Sequence, residues 1–72
     1  MSLKAPCSDV RAIYNDARKN GIVGPIDKGW IVFTGKGSRR EVQLFVEAFR
    51  GIGLTESQGR FRWPEECGDP TK

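Results

Sequence analysis

The chain has 72 residues, 38% of them hydrophobic and 29% charged, which fits one small globular domain and excludes a disordered segment. No apolar run approaches the roughly 18 residues of a membrane span, and the opening Met-Ser-Leu-Lys-Ala-Pro-Cys has no apolar signal core, so a cytoplasmic protein with no membrane partner is expected. The net charge is only +3, and there is no histidine, which removes the usual general base and the usual metal ligand.

In chain order, residues 1–7 read as a flexible leader. Ser8 offers an N-cap oxygen, and Asp9 adds negative charge to a first helical turn. Val10, Ile13, Tyr14 and Ala17 follow at helical spacing and form one apolar stripe. Arg18 and Lys19 suit the last turn, and Asn20-Gly21 supplies a stop. The spacing predicts a helix over 8–20. Ile22-Val23 suggests a short strand broken by Gly24-Pro25, and Asp27-Lys28-Gly29 signals a turn.

Residues 30–34 are the strongest strand, with Trp30 and Val32 on one face and Ile31 and Phe33 on the other. Both faces are apolar, so this strand is expected to be interior or covered on both sides. A hairpin of 22–26 with 30–34 is the simplest pairing, with Pro25 at an edge. Ser38 caps a second helix, 39–51. Val42, Phe45, Val46, Phe49 and Ile52 lie on one side of it, widened by Leu44 and Ala48 to nearly half the circumference. Phe45 is expected at the centre of the core. Residues 55–59 read as a turn, and Arg60-Phe61-Arg62-Trp63 alternates as a half-buried strand does. Pro64 stops it, and 65–72 reads as a flexible acidic tail.

The expected fold is therefore α+β. One domain over 8–64 places two helices on one face of a short antiparallel sheet, in the order helix, strand, strand, helix, strand. Phe61 and Trp63 enter the core, and Arg60 and Arg62 project from the open face.

Positive charge gathers in the second half. Residues 34–62 carry six basic side chains against three acidic ones. The loop at 34–38, Thr-Gly-Lys-Gly-Ser, leads into a helix start with Arg39 and Arg40. Glycines free the backbone to turn amides toward one point, and the helix dipole adds positive potential there. A phosphate is the expected anion. The G-x-x-x-x-G-K-[ST] spacing of a nucleotide-binding loop is absent, and no carboxylate is placed for Mg²⁺. The loop is also not the G-x-x-G of a KH domain. A winged-helix domain would need a further helix where the glycine-rich residues 21–33 lie. The bland readings are a loop that only turns the chain and arginines that only solvate a surface.

Lys36, Arg39, Arg40, Arg60 and Arg62 are thus the expected nucleic-acid-binding residues, held at one corner. The leading expectation is a small basic domain that binds nucleic acid through phosphates. The alternative is a protein-interaction module or inhibitor that uses the wide apolar face of helix 39–51. No enzyme activity, metal or cofactor is expected. Cys7 and Cys67 fit no zinc spacing; a disulfide between them requires the two ends to meet, and free thiols are the expectation for a cytoplasmic protein.

Overall fold

The computed structural model describes residues 6–68. They form two helices, α1 (Cys7–Lys19) and α2 (Arg39–Gly51), and three strands, β1 (Trp30–Ile31), β2 (Glu56–Ser57) and β3 (Arg60–Arg62). The strands make one antiparallel sheet in the order β1-β3-β2. This is a small α+β domain with both helices on the inner side of a short sheet. Residues 1–5 of the expected leader and 69–72 of the expected tail lie outside the described residues.

Both ends of the domain differ from expectation. Helix α1 begins at Cys7, and Pro6 rather than Ser8 stands at its N-cap, with no side-chain cap. The expected acidic tail begins instead with a 3-10 turn, Glu65–Cys67, in which Cys67 is buried. The cause is covalent: Cys7 and Cys67 are joined in a disulfide across 60 residues. The thiols expected to be free are therefore paired. The bond lets the helix start a residue early and pins the turn after β3 against it. The Arg11 guanidinium donates to the Cys67 carbonyl, and Trp63 Nε1 donates to the Gly68 carbonyl at 2.6 Å, which ties the same turn down further.

The two helices end alike. The Gly21 and Ile22 amides reach back to the Arg18 and Ala17 carbonyls, and the Gly53 and Leu54 amides reach back to those of Arg50 and Phe49. Each glycine has positive φ, and the apolar residue after it folds onto the core. Helix α2 starts where Ser38 was expected to cap it. The Ser38 hydroxyl accepts from the Glu41 amide at 3.1 Å, and the Glu41 carboxylate accepts from the Ser38 amide at 3.3 Å.

The expected hairpin of 22–26 with 30–34 survives as two isolated bridges, Val23 with Phe33 and Asp27 with Trp30. The two are one residue out of register with each other, and Asp27 with Trp30 closes the turn just outside 22–26, so no continuous ladder joins them. A second hairpin appears where only a turn was expected. Glu56 pairs with Phe61 and Ser57 with Arg60, about a two-residue turn at Gln58-Gly59 whose φ values are 52° and 77°. Glu and Ser are weak strand formers, so the turn geometry and the partner strand set this one.

The core joins Val10, Tyr14 and Ala17 of α1 with Phe49 of α2 and Ile31, Phe61 and Trp63 of the sheet side. The Phe49 and Phe61 ring centroids are 5.4 Å apart, and Tyr14 meets Trp63 edge-on at 5.4 Å. Phe49, not Phe45, is the fully buried residue of α2. Val42, Phe45 and Val46 pack against the core only partly buried, and Leu44 is 63% exposed. Strands of two and three residues make too small a sheet to cover an apolar half-cylinder of that width.

Candidate functional site

The arginines divide by what already holds them. Arg11 is spent on the Cys67 carbonyl. Arg18 donates to the Tyr14 hydroxyl at 3.0 Å and lies over the same ring. Arg50 grips Glu56 through two hydrogen bonds of 3.0 and 3.1 Å, which fastens α2 to β2. The Arg11 and Arg18 bonds are part-buried, whereas the Arg50–Glu56 pair is open to water at 57% and 36%. Arg39, Arg40, Arg60 and Arg62 are left, and they are the four arginines that the sequence singles out.

Arg60 and Arg62 meet at a third residue, Trp30. Phe61 and Ile31 are buried under the helices, so alternation along β3 and β1 turns Arg60, Arg62 and Trp30 to the outer face. Trp30 is paired directly with Arg62 in the ladder. The guanidinium carbons of Arg60 and Arg62 lie 5.0 and 5.3 Å from the Trp30 ring centroid. Both are within cation–π range. A tight turn at Lys28-Gly29 delivers Trp30 to this position, closed by reciprocal backbone bonds between Asp27 and Trp30 of 3.0 and 2.9 Å.

Trp30 was expected to be covered by protein on its side of the strand. Its cover is two guanidinium groups. These are weakly held by anything else. Arg62 faces Glu65 at 3.6 Å with both side chains open to water, 42% and 87% exposed. Arg60 has one bond to the Gln58 side chain at 3.4 Å. Exposed pairs of this kind contribute little, so an incoming anion can replace either partner at small cost.

The loop at 34–38 is organised differently. The Thr34 hydroxyl donates to the Gly21 carbonyl at 2.6 Å and accepts from the Lys36 amide at 3.1 Å. A Cβ added at Gly37 would overlap Ile22 Cδ1, so this glycine is needed to let the loop lie on the core. The capping box consumes the Ser38 and Glu41 amides and sets the Glu41 carboxylate at the helix start. The protein itself thus takes up the Thr34, Lys36, Ser38 and Glu41 amides. The loop also carries side-chain charge. Lys36, Arg39 and Arg40 are all exposed, and Arg39 and Arg40 edge a shallow hollow with Gln43, Leu44 and Glu47.

Arg60 and Arg62 converge on Trp30. Arg39 and Arg40 are neighbours on α2, and the Lys36 stem runs past Gly21 near the end of α1. Trp30 is the member that the sequence reading left out of the site. Its signal was the turn Asp27-Lys28-Gly29 immediately before it, which places its ring at the start of a hairpin strand.

A separate apolar groove of about 360 Å³ runs between the helices, floored by Ile13, Phe45 and Ala48, with exposed Leu44 at its side and Asp16 and Glu41 at its rim. No helix among the described residues is long and apolar enough to cross a membrane. No protein-family model matches this chain, and neither a curated protein nor a solved structure is detectably similar to it.

Proposed function

We propose that this protein is a small nucleic-acid-binding domain that holds phosphates with Arg60 and Arg62 on its sheet face and with Lys36, Arg39 and Arg40 around the start of α2. The observation that carries this reading is the pair of guanidinium groups resting on Trp30 with only weak protein partners. Charge and a flat aromatic surface then occur together on a face that no helix covers, and both are features that a polynucleotide engages. The guanidinium fork suits phosphate oxygens, and the ring supports its orientation.

Binding through such contacts releases counterions, so affinity falls with salt in proportion to the phosphates engaged. The test is the dissociation constant for a mixed-sequence oligonucleotide at several salt concentrations, with the melting curve of the protein recorded at each. A steep negative slope is the expected result. Absence of binding at low salt overturns the reading. The assay is run with the Cys7–Cys67 bond closed and again with it reduced, because a reducing compartment would keep these thiols open.

A second reading rests on a specific observation. Leu44 is 63% exposed beside an apolar groove, which suits a protein-interaction module better than a nucleic-acid binder. Under this reading the parent does not bind the oligonucleotide at low salt.

A further inference from the structure

We infer that the ligand of the sheet face is single-stranded rather than duplex nucleic acid, with a base stacked on the layer that Trp30, Arg60 and Arg62 form. This rests on the nucleic-acid reading above and narrows it to one substrate class.

The shape of the face is the first reason. Trp30 and Arg62 are cross-strand partners, and Arg60 lies two residues along the same strand on the same face. A duplex keeps its bases stacked on each other and shows only their edges, so it offers this layer no π-face. An unpaired base shows its whole π-face, and protein aromatics and guanidinium planes are the groups that take it up.

The chemistry of the layer is the second reason. A guanidinium is planar and carries a positive charge, so it stacks on an indole and also accepts a base or a phosphate on its other side. With both guanidinium carbons within cation–π range of the ring, 5.0 and 5.3 Å from its centroid, the two charges are gathered at the ring before the ligand arrives. Little ordering is left to do on binding. Groups that can bond to base edges stand beside it. Ser57 is the ladder partner of Arg60 and is exposed, and the exposed Gln58 side chain already bonds to Arg60. Lys28, in the turn before Trp30, adds charge for the backbone of the strand.

The two tryptophans make the inference measurable. Trp63 is buried, only 4% exposed, whereas Trp30 is half-buried on the outer face beside the two guanidiniums. Titration with an octamer of thymidylate and with a blunt duplex hairpin, read by tryptophan fluorescence and by anisotropy of a labelled oligonucleotide, separates the two substrate classes. The octamer is expected to bind more tightly than the duplex and to quench part of the emission. Trp30→Ala is expected to lose that quenching and to weaken octamer binding on the order of tenfold, the usual worth of one aromatic–base stack, with the salt slope unchanged. Trp30→Phe is expected to keep most of the affinity. Where Trp30→Ala melts too low to assay, Trp30→Leu covers the strand without an aromatic face and gives the same comparison.

Duplex binding as tight as octamer binding, or full octamer affinity in the non-aromatic variant, overturns the single-strand inference and leaves the nucleic-acid reading standing. Failure of the parent to bind either probe at low salt overturns both.

Discussion

Cys7 and Cys67 are bonded to each other, so the first turn of α1 and the turn after β3 form one covalently closed end of the domain. The bond lies beside the core rather than outside it. Cys67 is 3% exposed, and the turn that carries it is fastened by Trp63 and Arg11. A domain of this size buries a modest share of its surface, and a covalent closure is one of the few large stabilising contributions open to it. Closing a loop of 60 residues lowers the entropy of the unfolded chain by roughly 4 kcal/mol. Reductant is therefore expected to lower the melting temperature by more than about 10 °C. A melt that does not move on reduction would show that the bond does not form in solution.

Phe49 and Phe45 test which part of α2 is anchored. Phe49 is fully buried against Phe61 and Phe33, while Phe45 is only half-buried along the groove between the helices. Phe49→Ala is expected to cost about 3–5 kcal/mol, enough to unfold much of the population at 37 °C. Phe45→Ala should cost clearly less, because part of its ring is already in water. Chemical denaturation of the two variants decides it, and equal losses would mean that the N-terminal half of α2 is packed more tightly than the structure has it.

The contrast shows how far the sequence could be read. The stripe Val10, Tyr14, Ala17 and the bounds of α2 follow from period and caps, which are local properties. So does the outward turn of Arg60 and Arg62, set by alternation with Phe61 and Trp63. The rest depends on pairing between distant residues. Helical spacing puts Phe45 and Phe49 on the same stripe, and only the extent of the sheet decides which one is covered. Trp30 reads as a core residue from its strand and is instead half-buried on the outer face, beside its ladder partner Arg62. The disulfide needs both chain ends to meet, which no local pattern encodes.

Gly37 and Gly35 separate two reasons for a glycine. Both have φ near 90°, but only Gly37 lies against Ile22, and a Cβ at Gly35 would meet nothing within 4 Å. Gly35→Ala is expected to cost about 1 kcal/mol from backbone conformation alone. Gly37→Ala adds a collision with a buried side chain and should cost roughly 1–3 kcal/mol more. Equal melting temperatures for the two variants would mean that the loop lifts off Ile22 freely, and the packing role assigned to Gly37 would fail.

The last prediction asks which of the two basic groups binds. Each phosphate contact contributes about 0.7 to the salt slope for a single strand, so removing two contacts should flatten the slope by roughly 1.4. Arg60→Ala with Arg62→Ala removes the two guanidiniums on Trp30 and also uncovers that ring. This variant is expected to lose the most affinity and to melt a few degrees lower, since exposed cation–π contacts are worth about 0.5–1 kcal/mol each. Arg39→Ala with Arg40→Ala removes exposed groups that edge only a shallow hollow on α2. It should flatten the slope with the melting temperature unchanged. If both pairs change the slope, one strand crosses from the sheet face to the start of α2, and the five cations act as a single track. If only the Arg60 and Arg62 pair does, the site is confined to the sheet and Arg39 and Arg40 are ordinary surface charge. A slope unaltered by either variant would remove these four arginines from the interface and leave Leu44 and its groove as the better-supported surface.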